Sequence, residues 1–182
     1  MRTHILAIAL SLGVSAPVFA QINMDALKKE ATKEATKTAE KEGEKKANEA
    51  VIKKVNAKLL AEGRKNQCAF KTDSDQLMPG CDGKMKKLAN QLVQAKKALD
   101  EGNVRNFKFV VSGHTDSTGK AEHNKELSKK RAAVVVRELV AKGIDQNEIE
   151  AVGMGSEAML VKPDDTEAKR KKNRRYEIQV KL

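Results

Sequence analysis

A loop between an apolar strand and a long helix places the strongest constraint on how this chain can fold. Residues 107–111 are rich in aromatic and β-branched side chains, which favours a buried strand. Residues 113–119 read Gly-His-Thr-Asp-Ser-Thr-Gly, a composition typical of a loop, and helical spacing follows over residues 121–142. In open α/β sheets, crevices form beyond the carboxyl ends of the strands, where this loop begins. The sequence therefore predicts that Asp116 lies at such a crevice.

Arg131 occupies an unusual position on the predicted helix. It lies four residues after Leu127 and three before Val134, so a charged side chain interrupts the apolar face. A guanidinium close to the Asp116 carboxylate can receive a zwitterion, an amine and a carboxylate on one carbon. Asn124 lies seven residues before Arg131, about 20° away around the helix, so we expect its amide to reach the same ligand. Two simpler interpretations stay open: Asp116 caps the helix, or Arg131 pairs with a protein carboxylate.

The order of the predicted elements indicates the fold class. From residue 67 onward strands alternate with helices, as is typical of α/β folds. We expect a βαβαβ-type two-layer sandwich with one small mixed sheet, preceded by a charged helical arm. The predicted strands are residues 67–72, 106–112, 149–154 and 174–182, and the predicted helices are residues 82–100, 121–142 and 166–172.

Residues 21–65 differ in composition from the rest of the chain. They are rich in Lys, Glu, Ala and Thr, contain no Pro, and repeat a small or apolar residue at every fourth position. A spacing of four advances about 400° per step, so the apolar stripe winds slowly around the helix. The pattern predicts a charged helical arm or linker. It is compatible with a solvated spacer and with a self-associating helix whose apolar contacts are strongest over residues 51–60.

The first twenty residues resemble a secretory signal peptide. Arg2 provides the basic start, residues 5–14 the apolar core, and Ala20 a small residue at the cleavage point. Cleavage there leaves Gln21 as the new N-terminus. An uncleaved membrane anchor is the alternative, although the apolar run is shorter than the roughly 20 residues that a spanning helix needs.

Export would place the two cysteines in an oxidising compartment. Cys68 and Cys81 are the only cysteines, and an oxidising compartment favours a disulfide between them. We expect an intramolecular bridge that is structural and leaves ligand binding largely independent of reduction. Free thiols or an intermolecular bridge are the alternatives.

The charge of the chain narrows the choice of partners. With 36 Lys and Arg against 25 Asp and Glu, the formal net charge is +11, which suits a polyanion. An exported protein meets anionic lipid and cell-wall carboxylates rather than nucleic acid. The aromatic content of 3%, with no Trp, also argues against base stacking. We therefore expect no nucleic-acid partner.

Catalytic and metal sites have little support in the sequence. His114, His123 and Asp116 do not have the spacing of a standard metal-ligand set. The cysteines are better explained as a bridge than as nucleophiles, and no carboxylate pair suggests glycan hydrolysis. We expect a non-enzymatic chain with no metal and no cofactor.

Several motifs in fixed order resemble one family. The chain carries Gly-His-Thr-Asp-x-x-Gly from residue 113, then Asn-x-x-Leu-Ser-x-x-Arg-Ala from residue 124, then Gly-x-Gly from residue 153 and Asn-Arg-Arg from residue 173. This set is similar to that of the OmpA-like C-terminal domain, over residues 66–182. The resemblance implies a domain that binds peptidoglycan non-covalently, at the free amino acid end of diaminopimelate in the stem peptide.

The resemblance also implies roles for individual residues. By position, Asp116 and Arg131 match the pair that clamps the ligand. The supporting positions are matched by Thr118, Asn124 and Arg174. Asp73 matches a polar position on the first strand, where the neighbouring Lys71 departs from the usual acidic residue or Asn.

The implied location is the periplasm, in association with the cell wall, with the outer membrane left open as the nearest membrane. Peptidoglycan is the expected partner, and the arm at residues 21–65 could join an outer-membrane or envelope protein. A membrane-anchored, stator-like tether with an uncleaved N-terminal segment is one alternative. A stress-protective scaffold that acts through the charged arm is another.

Overall fold

The computed structural model describes residues 24–182, and the predicted signal peptide at residues 1–20 lies outside this range. Helices and strands alternate in the order expected for an α/β chain. The α-helices are α1 (Met24–Lys65), α2 (Asp82–Glu101), α3 (Ala121–Val140) and α4 (Glu167–Asn173), and the strands are β1 (Lys108–His114), β2 (Ile149–Gly155) and β3 (Arg175–Lys181). A short 3₁₀ helix, Gln146–Glu148, leads into β2.

The three strands form one small mixed sheet in the order β2-β1-β3. β1 pairs with β2 in parallel and with β3 antiparallel, and its register aligns Val111 with Ala151 and with Ile178. This arrangement confirms the predicted two-layer α/β fold. A parallel β1–β2 pair requires a crossover, which α3 provides.

One face of the sheet packs on the helices and forms the core. Alternate residues of the central strand, Phe109 and Val111, are buried there together with Met85 and Leu92 of α2 and Leu139 of α3. Helix α3 approaches the sheet closely at Gly113 in β1. A Cβ atom added at this glycine would lie 2.1 Å from the carbonyl oxygen of Ser128, so only glycine allows α3 to pack this closely.

The described residues divide into two units, with the boundary between Glu42 and Gly43. In the second unit, the last turns of α1 contribute Val55 and Leu59 to the core. Asn56 adds a reciprocal pair of hydrogen bonds: its Oδ1 accepts from the Val180 N–H at 2.6 Å, and its Nδ2 donates to the Val180 carbonyl at 3.2 Å. The predicted helix thus exists, and its C-terminal turns belong to the packed core.

The predicted strand at residues 67–72 does not form. Only an isolated antiparallel bridge joins Phe70 to Leu77. The reason lies at the edge of β3, where Gln67 uses its side chain instead of its backbone. Its Nε2 donates to the Tyr176 carbonyl at 2.8 Å, and its Oε1 accepts from the Tyr176 N–H at 3.1 Å. These groups of Tyr176 are the ones that an added strand would pair.

The predicted disulfide is present within one chain. Cys68 and Cys81 are bonded to each other, with their Cα atoms 5.6 Å apart. The bridge joins the segment that follows α1 to the residue that precedes α2, so it closes a loop over residues 68–81. This intramolecular pairing is the one that the sequence favours over free thiols.

Candidate functional site

The loop after β1 holds Asp116 in a buried position at the end of the sheet. Thr115 donates its N–H to the Gly155 carbonyl at 2.9 Å, which fixes the start of the loop to β2. Asn124, in the first turn of α3, donates from Nδ2 to the Thr118 carbonyl at 2.9 Å. Asp116 is 7% exposed as a result. Asn124 therefore shapes the loop, and its amide is used by the backbone.

The Asp116 carboxylate has two protein partners. Its Oδ2 accepts from Nη1 of Arg174 at 2.7 Å, and its Oδ1 accepts from the Thr118 N–H at 3.0 Å. Burial acts to raise the pKa of Asp116, but the hydrogen bonds from Arg174 and Thr118 outweigh it and hold the pKa below its ordinary value. Asp116 is therefore an anion at neutral pH.

Arg131 is buried beneath the loop that the disulfide closes. Its Nε donates to the Ser74 carbonyl at 2.8 Å and its Nη2 to the Lys71 carbonyl at 3.2 Å. The guanidinium carbon lies 5.1 Å from the centroid of the Phe70 ring, within cation–π range. Burial lowers the pKa of Arg131, as does the nearby charge of Arg174, but a guanidinium stays protonated at neutral pH.

The charge of Asp116 acts on Arg131, although the two side chains are not hydrogen-bonded to each other in the described residues. The Asp116 charge acts to raise the pKa of Arg131, and Arg174 acts on both residues. No salt bridge links Asp116 to Arg131 within residues 24–182, where Asp116 pairs with Arg174 instead. The structure thus relates three of the predicted site residues: the buried Asp116, its ion-pair partner Arg174, and Arg131, whose pKa is affected by both charges.

Asp73 lies at the rim of this group. It is exposed, has a φ of 48°, and its Oδ1 is 2.6 Å from Nε2 of His123 on α3. Its charge acts to raise the pKa of Arg131, but among the described hydrogen bonds its carboxylate contacts only His123. Of the six predicted binding residues, Asp73 is therefore the most peripheral.

Sequence reasoning missed several residues that hold the site. Phe70 stacks on Arg131, and Glu167 accepts a second hydrogen bond from Arg174. Asp164 accepts from the Ser117 N–H at 2.9 Å and from Nδ2 of Asn173 at 3.0 Å, and the hydrogen bonds from Ser117 lower its pKa to about 2. Glu167 lies at the start of α4, where acidic residues are favoured, and this pattern could have identified it. Asp164 lies in a loop segment, and no sequence pattern identifies it.

No group of three His, Cys, Asp or Glu side chains within residues 24–182 is placed to hold a metal ion. Each helix in this range is too short or too polar to cross a lipid bilayer.

Sequence relatives carry the same domain. The OmpA family model matches residues 69–174, more than half of the chain. Outer membrane protein A of Bordetella avium is 36% identical over 95 residues, which cover 52% of this chain and 46% of that protein. The peptidoglycan-binding protein ArfA of Mycobacterium tuberculosis is 35% identical over 112 residues, which cover 62% of this chain and 31% of that protein. The matched region thus spans less than half the length of either relative.

Solved structures share the fold. The peptidoglycan-associated lipoprotein of Burkholderia pseudomallei superposes with a TM-score of 0.50 at 24% identity, covering 63% of this chain and 87% of that one. A putative MotB-like protein of Desulfovibrio vulgaris has a TM-score of 0.53 at 19% identity, covering 76% and 94%. With the family model and the sequence relatives, the fold leads to one conclusion: the chain belongs to the OmpA family.

Proposed function

We propose that this protein binds peptidoglycan non-covalently in the cell envelope, through the free amino acid end of diaminopimelate. The observation that carries the proposal is that an anion and a cation are both buried and act on each other through their charges. Asp116 offers a buried anion for an ammonium group, and Arg131 offers a buried cation for a carboxylate. A relative whose printed name is peptidoglycan-binding protein supports the same ligand.

Both charged groups keep free hydrogen-bonding capacity. A guanidinium has five N–H donors, and Arg131 gives one from Nε and one from Nη2 to the chain. The Nη1 group therefore stays available for a ligand carboxylate. Each oxygen of the Asp116 carboxylate accepts one backbone or side-chain hydrogen bond and has room for another. A zwitterion can bind without displacing any of these partners.

Thr118, Asn124 and Arg174 act as supporting residues in this proposal. The Thr118 N–H orients the Asp116 carboxylate, and Asn124 holds the Thr118 carbonyl. Arg174 keeps the carboxylate charged and fixes its second oxygen. Asp73 lies at the rim, where its negative charge would attract the ammonium end of an approaching ligand. The site binds and orients a ligand, and its residues have no catalytic step to perform.

The proposed location is the periplasm, at the cell wall. The exposed part of the segment at residues 21–65 would then act as a charged arm that connects the domain to an envelope protein or to the outer membrane. In support, every side chain over residues 28–47 is exposed, as expected of a surface available to a partner. Mass spectrometry of protein isolated from the envelope tests the attachment: Gln21 as the first residue excludes an uncleaved anchor.

Sedimentation with purified sacculi tests the proposed ligand site. We expect the full chain to co-sediment, and Asp116→Ala and Arg131→Ala each to weaken binding by about 2–4 kcal/mol, because a buried charge of the ligand loses its partner. Asp100 and Arg105 form an exposed ion pair at the end of α2 and provide matched controls, Asp100→Ala and Arg105→Ala. Circular dichroism confirms that each variant is folded. Sacculus binding that is equal in all four variants would exclude the assigned site.

A further inference from the structure

We propose that the Cys68–Cys81 disulfide positions Arg131, and thereby makes the ligand site sensitive to reduction. This goes beyond a purely structural bridge, the role expected from the sequence. The positioning of Arg131 is inferred from contacts within the chain. The effect of reduction on ligand binding rests on the proposed function.

The first step is that the loop over residues 68–81 supplies the acceptors for Arg131. Both carbonyl groups that receive its hydrogen bonds, those of Lys71 and Ser74, belong to this loop. The ring of Phe70, under the guanidinium, belongs to it as well. The described side-chain hydrogen bonds of Arg131 go to this loop alone, so the loop determines where the guanidinium lies.

The second step is that few contacts hold the tip of the loop, whereas Cys68, Phe70 and Leu77 near its ends pack against the core. Inside it, Lys71 donates its N–H to the Gln76 carbonyl at 2.9 Å and Met78 donates to the Ala69 carbonyl at 2.9 Å. A short two-stranded hairpin of this size is at best marginally stable by itself. Most residues of its tip are exposed, and apart from the bonds to Arg131 itself, one described hydrogen bond of the tip reaches α3, the one between Asp73 and His123. The disulfide ties both ends of the hairpin to each other.

The third step is the reduction of the disulfide, which releases the hairpin. A dithiol reductant of the thioredoxin-like class breaks the sulfur–sulfur bond through a mixed disulfide. Two electrons and two protons pass to Cys68 and Cys81, which become thiols, and the reductant becomes a disulfide. The hairpin then loses its closure, and the two carbonyl acceptors of Arg131 are no longer held in place. Because the guanidinium loses its preorganisation, we expect ligand affinity to fall roughly tenfold.

Nuclear magnetic resonance of the arginine Nε–H groups tests the positioning in the full chain without any ligand. The signal of Arg131 Nε–H, bonded to Ser74, is followed in oxidised and reduced protein. Arg175 is the internal control, since its Nε donates to Glu177 at 2.7 Å and lies in β3. We expect reduction to speed hydrogen exchange at Arg131 at least tenfold and to leave Arg175 unchanged. Unchanged exchange at Arg131, or an equal increase at both arginines, would overturn the proposal.

A second variant addresses the hairpin without touching the bridge. His123→Ala removes the contact of α3 with Asp73 and, because His123 is exposed, leaves the domain folded. We expect faster exchange at Arg131 in this variant, and a further increase on reduction.

Binding of free diaminopimelate to both redox forms then separates the positioning of Arg131 from the proposed function. A tenfold weaker reduced form supports both. If neither form binds, the proposed function fails while the positioning of Arg131 stands on the exchange data.

Discussion

Nη1 of Arg174 donates a hydrogen bond to Oδ2 of Asp116 at 2.7 Å, so the anion of the candidate site has a cationic partner within the chain. The two residues are 58 positions apart in sequence, and the contact joins the loop after β1 to the start of β3. The charge of Asp116 is therefore compensated before any ligand arrives. A ligand ammonium adds to this pair, while the ligand carboxylate has Arg131 for itself.

Removing the charge of Asp116 should lower stability in a pH-dependent way. Asp116→Asn should cost about 1 kcal/mol of unfolding free energy at pH 7, since the partly exposed Arg174 is screened by solvent. The pKa of Asp116 is lower in the folded state, so its stabilisation is complete above the unfolded pKa and is lost as pH falls through the folded one. Urea denaturation should show the difference between variant and wild type shrinking in acid. Asp100→Asn, at an exposed pair, is the control.

His114 should make the domain less stable in mild acid. Burial, with the nearby charge of Arg175, lowers the pKa of His114 to about 4, although Glu177 acts in the opposite direction. Below about pH 6.5 the unfolded chain takes up a proton at this residue and the folded chain does not. The free energy of unfolding should therefore fall by up to roughly 3 kcal/mol between pH 6.5 and 4. In His114→Gln the slope of this part of the pH profile should be shallower by the contribution of His114; an unchanged slope would contradict the assignment.

The last turns of α1 should be required for full stability. Leu59→Ala should cost about 2–4 kcal/mol, because it opens a cavity in the core that α1 shares with the sheet and helices. Val93→Ala, at a side chain 57% exposed on α2, should change stability little. A truncated protein that starts at residue 66 should likewise unfold at lower urea than one that starts at residue 43. Equal midpoints for the two truncations would show that residues 43–65 contribute nothing to stability.

The two charges of the site define the chemistry of its ligand. Free diaminopimelate should compete with sacculi, and N-acetylglucosamine should not, because it offers neither an ammonium nor a carboxylate. Amidating the ligand carboxylate should weaken binding by leaving Arg131 unpaired, and acetylating the amine should do the same for Asp116. Isothermal titration calorimetry with each compound measures these effects. Strong binding of the sugar alone would contradict an amino acid end as the ligand.

Local patterns were enough for much of the fold. The apolar run before residue 113 and the helical spacing after residue 121 both depend on interactions between near neighbours in sequence. A strand and a helix are present at these positions. The same spacing placed Arg131 on the buried face of α3, where it is 9% exposed. The motifs of residues 113–131 also led to the family. Short-range periodicity was sufficient because each of these features depends on only one or two turns of chain.

The sequence by itself predicted the helices, the three strands of the sheet and the disulfide pair, and it proposed Asp116 and Arg131 as site residues. Only the tertiary structure decided what those residues touch. Arg131 donates to carbonyl groups about 60 residues away, and Gln67 pairs with Tyr176 in place of the predicted strand at residues 67–72. A side chain that bonds a distant backbone leaves no periodic trace in the sequence. Its partner depends on how loops and helices pack together, and packing is settled only when the whole core is assembled.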